Sequence, residues 1–247
     1  VNKDVHALTG GPSPNAPSAP LSKLTAWRNA LAITLLGCLF LGLGCFVMLG
    51  RILRARMDLF YAAIWQQLGF AVALAVILLV IVIWQRARGS TLRELGWRRP
   101  TTRLAMLLAV LLGAMYLWGC YFGAQAVLPG VDVTQFHWFR LVLAPVGIFM
   151  AVAEETMMRG FFMTELERAH VATWVQIIAS GACSAAYHAL QDPSPLGFVP
   201  SFALFSIHAG LYVLGNRSLT PPIIAHSLYH VFGEPYLLMM VLVTMDH

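Results

Sequence analysis

Charge is what this chain has least of. Only 11% of its 247 residues are Asp, Glu, Lys or Arg, against about 25% in soluble domains. With 59% hydrophobic residues and a mean hydropathy of +0.72, an ordinary water-soluble domain is excluded. The net charge of +5 is small, and the basic residues cluster at the ends of apolar runs, where they act as topology signals and headgroup contacts. No basic patch interleaved with aromatics and no Gly-rich phosphate loop is present, which argues against a nucleic-acid partner. Cysteine is also scarce. Cys38, Cys45, Cys120 and Cys183 all lie in apolar runs and form no CxxC pair, so they read as buried free thiols. The chain has no HExxH, no GxSxG and no Gly-x-Gly-Asp, so the common zinc-protease, serine-hydrolase and intramembrane aspartyl-protease signatures are missing.

What remains is apolar. Runs of about 20 residues fall at 30–50, 61–84, 104–127, 140–163, 173–190, 197–215 and 220–243. The last is interrupted by Gly233-Glu234-Pro235 and reads as one span or two shorter pieces. The expected fold is all-α: a polytopic transmembrane helical bundle of about seven to eight spans, in one domain over 28–247. Residues 1–27, rich in Pro, Ser, Ala and Gly, read as a disordered tail. Lys and Arg asymmetry puts the N-terminus in the cytoplasm. Lys3, Lys23, Arg28, Arg86, Arg88, Arg93, Arg98, Arg99, Arg103, Arg168 and Arg217 then face inward, against Arg51, Arg54, Arg56 and Arg140 outside. Ser90–Arg103 reads as a cytoplasmic surface helix and connector whose arginines meet anionic lipid.

Against this background the stretch AVAEETMMRGFF (151–162) stands out. A charge at the bilayer centre costs roughly 2.5–3.5 kcal/mol on insertion scales, so it needs a partner or a task. Glu155 and Arg159 are four apart and share a helix face, so they can pair. Glu154 points about 100° away and has no sequence-local partner. The same half of the chain carries His188, His208, His226 and His230, the last two four apart on one face. At 1.5 Å per residue, Glu154 lies roughly 13 Å, His226 roughly 10 Å and His188 roughly 22 Å from the cytoplasmic ends of their spans. These depths differ by about one to two helical turns, a gap that tilted or broken helices close. A Glu and several His gathered there suit acid–base chemistry, with Glu activating a water, or a metal site of Glu154, His188 and His226. A divalent ion there would be zinc, and His230 or its neighbours would supply the oxyanion donor. His208 is left as a structural histidine.

These residues resemble a known family. EETMMR (154–159) is similar to the EExxxR motif of the CPBP intramembrane proteases, the group containing the CAAX prenyl endopeptidases and bacterial Abi-type proteins. ELGWRRP (94–100) resembles the connector before that family's core, and LYVLGNRSLTPPIIAHSLYHVF (211–232) resembles its last histidine motif. The likeness covers about residues 90–232. It implies Glu154 as the base that activates water, Glu155 and Arg159 as the pair that shapes the site, and His188 and His226 as the histidines of the second and third motifs. The sequence departs from the pattern twice. Ser184 stands where the second motif has Phe, and His230 stands where the third has Asn or Asp.

The resemblance implies an endopeptidase that cleaves a membrane-associated peptide or protein, prenylated or otherwise lipidated. Membrane lipids are its other partners, and a prokaryotic inner (plasma) membrane is its expected location. The competing reading is a non-catalytic membrane scaffold or bacteriocin-immunity protein on the same fold, in which the Glu155–Arg159 pair matters and Glu154 is replaceable. A transporter is disfavoured, because no pair of Gly- or Pro-broken half-length spans recurs in two halves.

Overall fold

The computed structural model describes residues 20–190 and 195–245. Among these, all regular structure is helical, in seven helices. These are α1 (Lys23–Arg54), α2 (Leu59–Ala87), α3 (Arg103–Val127), α4 (Phe139–Arg168), α5 (Thr173–His188), α6 (Pro195–Leu214) and α7 (220–245). By length and composition α1 to α4 can each cross a membrane, and Phe198–Leu214 adds a shorter apolar helix.

Local chemistry explains the starts. Ser22 caps α1 through the Thr25 N–H at 3.1 Å, and Asp58 caps α2 through the Tyr61 N–H at 2.9 Å. Pro221 and Pro222 occupy the first turn of α7, where a missing N–H costs nothing. The tail expected to run to residue 27 therefore ends earlier, because Ser22 nucleates helix from Lys23. The expectation for residues 1–19 lies outside the described residues. The Gly233-Glu234-Pro235 interruption does not break α7. A wide π turn over Tyr229–Gly233, in which the Glu234 N–H bonds the Tyr229 carbonyl five residues back, carries the helix into Pro235. Two more π stretches occur among the described residues, Gly37–Leu49 within α1 and Thr156–Phe162 directly after the two glutamates of α4, and wide turns of this kind gather at functional sites.

The connector before α3 is not the expected helix. Residues 90–102 form turns. Gly96 sits at φ +88°, and a Cβ there would come within 2.8 Å of Tyr212 and 2.9 Å of the Arg217 carbonyl. The chain turns because its backbone is used elsewhere. The Leu219 N–H donates to the Gly96 carbonyl at 2.9 Å, Ser218 Oγ to the Arg98 carbonyl at 2.5 Å, and Thr164 Oγ1 to the Glu94 carbonyl at 3.2 Å. These bonds staple the connector to α4 and to the α6–α7 loop.

Helix α4 is the central element. In its most apolar window 56% of residues are buried, against 33%, 22% and 17% for α1, α2 and α3. The core gathers Ile33 and Leu41 of α1, Phe70 and Leu74 of α2, Met157, Phe161 and Phe162 of α4, Tyr187 of α5 and Tyr212 of α6. Outward, α3 exposes Leu104, Leu107, Leu108, Leu111, Met115, Trp118 and Phe122. An apolar stripe of that length is unsuited to water and suited to lipid. The four cysteines are free; Cys45 is buried and the other three are half-buried.

Candidate active site

Glu154, Glu155 and Arg159 are buried on α4, the element with most protein around it. Glu155 Oε2 lies 3.2 Å from Arg159 Nε, the ion pair that the four-residue spacing predicts. The guanidinium is held at its other corners too. Arg159 Nη2 donates to the Phe205 carbonyl at 2.6 Å, Nη1 to Ser184 Oγ at 3.4 Å, and the Phe205 ring lies 5.4 Å from its Cζ. Ser184, where the family pattern has Phe, thus serves as an acceptor for the buried arginine.

Glu155 Oε1 takes two imidazoles. His208 Nδ1 donates to it at 2.8 Å and His226 Nδ1 at 3.0 Å. Tyr116 Oη meets the other nitrogen of His208 at 3.1 Å. Glu155, His208 and His226 bring ligand atoms within 4.8 Å of one another and could hold a metal ion. The expected triad of Glu154, His188 and His226 shares only His226 with this group. His208, set aside as structural, belongs to it. Neutral imidazole and carboxylate donors suit a divalent ion such as zinc, and the tyrosine on the second nitrogen of His208 is the sort of outer partner that orients a ligating imidazole.

Glu154 is placed differently. Among the described residues its hydrogen-bond partner is the Tyr187 hydroxyl, 3.2 Å from Oε2, and its side chain lines a cavity of about 490 Å³. His188, His208, His226 and His230 line the same cavity. His188 Nδ1 donates to the Ser184 carbonyl at 3.0 Å, an acceptor only, which leaves Nε2 as the nitrogen with free capacity. The rest of the wall is mostly apolar, with Phe46, Phe70, Leu204, Phe205 and Leu238 among its members. All six residues expected at the site are therefore in one region. Glu154, His188, His226 and His230 face the cavity, while Glu155 and Arg159 lie behind it.

The backbone closes tightly here. A Cβ on Gly147 of α4 would come 2.5 Å from the Cβ of His230 on α7, so only glycine lets the two helices meet at that point. Gly147→Ala is expected to push α7 outward, lower detergent-solubilised stability by about 1–3 kcal/mol, and displace His226 and His230 together. Thermal unfolding in detergent checks the first effect and any activity of the protein checks the second.

No curated protein and no solved structure matches the chain. Residues 136–232, which hold α4 through most of the π turn of α7 and with them Glu154, Glu155, Arg159, His188, His208, His226 and His230, match the family model described as type II CAAX prenyl endopeptidase, Rce1-like. That stretch is therefore similar to the Rce1-like type II CAAX prenyl endopeptidases.

Proposed function

We propose that the protein is a membrane-embedded endopeptidase that hydrolyses a peptide bond of a membrane-associated or lipidated peptide. The observation that carries this reading is the contrast between the two glutamates. Glu155 is consumed by Arg159, His208 and His226, whereas Glu154 faces the cavity with a tyrosine hydroxyl as its partner. In this reading Glu154 takes a proton from the attacking water and returns it to the leaving amine. His188 and His230 border the reacting bond from α5 and α7, and the apolar wall receives the lipidated or apolar part of the substrate. The integral-membrane character of the four candidate spans fits a substrate delivered from the bilayer.

The metal, where one is used, is zinc held by Glu155, His208 and His226. When bound it would supply Lewis-acid activation of a water. The chain's own part is to keep those three donors fixed. Arg159 holds Glu155 from behind and Tyr116 holds His208 from the side.

The test is cleavage by the purified protein in detergent of a library of lipidated and unlipidated peptides, with and without a chelator, alongside metal analysis of the preparation. Cleavage that stops on chelation and returns with zinc supports the enzyme and its metal together. Cleavage indifferent to the chelator keeps the enzyme and removes the metal. If no peptide is cut and Glu154→Gln still supports the cellular phenotype, the non-catalytic scaffold takes the enzyme's place.

A further inference from the structure

A second polar chain, carried by α7 and α2, lines the cavity. His230 Nδ1 donates to Glu234 Oε2 at 2.8 Å, one helical turn on. Glu234 Oε1 in turn accepts from the amide of Gln67 on α2. Both residues line the cavity with His230. The imidazole is pinned on two further sides. Its ring stacks on that of His226 with centroids 4.8 Å apart and planes 23° apart, and Gly147 packs against its Cβ. His230 is 8% exposed, and its remaining nitrogen, Nε2, is buried without a hydrogen-bond partner among the described residues.

A buried polar atom without a partner is costly to keep unless something visits it. We infer that Glu234 is a positioning residue: anchored by Gln67, it fixes the proton of His230 on Nδ1 and turns the Nε2 lone pair toward the N–H of the scissile amide as an acceptor, in place of the oxyanion-donor role expected from the sequence. The inference rests on the endopeptidase reading. It also accounts for the departure at position 230. An asparagine there presents its amide without help, since its nitrogen always donates and its oxygen always accepts. An imidazole can carry its proton on either nitrogen, and its partner decides which. Substituting histidine therefore creates a need for an acceptor on Nδ1, and Glu234 fills it.

The test has two readouts on the full-length protein in detergent. The first is nitrogen NMR of protein labelled in its histidines, with His230 assigned by its loss in His230→Asn. Wild type and Glu234→Gln, whose amide oxygen can accept the same N–H, are expected to show a single state protonated at Nδ1. Glu234→Ala is expected to lose it. The second is a cleavage cycle. Glu234→Ala is expected to lower kcat about tenfold or more with KM nearly unchanged, and Glu234→Gln to restore most of it. In the His230→Asn background, Glu234→Ala is expected to cost nothing further. An unchanged His230 signal in Glu234→Ala overturns the inference. So does an equal loss in both backgrounds, which would make Glu234 a packing residue tied to Gln67. If wild type cuts no peptide and Glu154→Gln keeps the cellular phenotype, the endopeptidase reading fails, and the NMR arm still decides whether Glu234 fixes the ring.

Discussion

Glu154→Gln is expected to abolish cleavage, lowering kcat by roughly 10²- to 10⁴-fold, while the protein accumulates in the membrane and unfolds in detergent as wild type does. The two halves of that expectation have separate grounds. Glutamine keeps the shape of the side chain and an oxygen to accept from Tyr187, so the one hydrogen bond that Glu154 makes with a described residue survives. No ion pair is broken, because Arg159 is matched by Glu155 and not by Glu154. What glutamine cannot do is accept the proton of a water and carry it to an amine. The comparison requires a peptide that wild type cuts, with kcat measured under saturation. A Glu154→Gln protein within threefold of wild type would remove Glu154 from the chemistry.

Tyr187 gives that result a companion without a large effect of its own. Its hydroxyl donates to the same carboxylate oxygen it would leave free in Tyr187→Phe. The family resemblance says nothing about a tyrosine at this place; only the packing of α5 against α4 brings it there.

How far the site could be read beforehand differs from residue to residue, for physical reasons. The Glu155–Arg159 pair was legible because helical spacing alone brings positions four apart together. The gathering of Glu154, His188, His226 and His230 was legible from motif likeness, with depth a loose guide that His188 fitted least. His208 was not, although the same depth rule reaches it. It lies seven residues before the loop that opens at Gly215, roughly 10 Å in, the depth reckoned for His226. Ranking the histidines by depth would have joined those two and left His188, roughly 22 Å in, apart from them. The role of Ser184 depends on the reach of Arg159 between α5 and α6, a contact across 25 positions that no local rule supplies. The connector at 90–102 failed as a helix for a similar reason: its carbonyls are taken by Thr164, Ser218 and Leu219, which lie far along the chain. Glu234 sat in plain view beside a proline and read only as an interruption, because a helix break and a wide turn share the same residues.

Glu155→Ala is expected to do damage of a different kind, and a double variant separates its parts. Arg159 is fully buried, and so is Glu155. Removing the carboxylate leaves the guanidinium with a backbone carbonyl, a serine and an aromatic face, none of them a countercharge. Breaking a buried pair from one side costs about 3–5 kcal/mol. The variant is therefore expected to unfold at much lower temperature in detergent and to be depleted from the membrane. Glu155→Gln/Arg159→Met removes both charges and keeps similar volume, and such replacements are often neutral for stability. It should recover most of the lost midpoint. Activity should not return with it, because the glutamine must still serve His208 and His226 through one oxygen and brings no charge to the group that could hold a metal. Recovery of stability without recovery of cleavage would assign Arg159 to holding Glu155 and Glu155 to holding the histidines. Recovery of both would mean that neither charge serves the reaction, and that the cavity works through Glu154 and the α7 histidines alone.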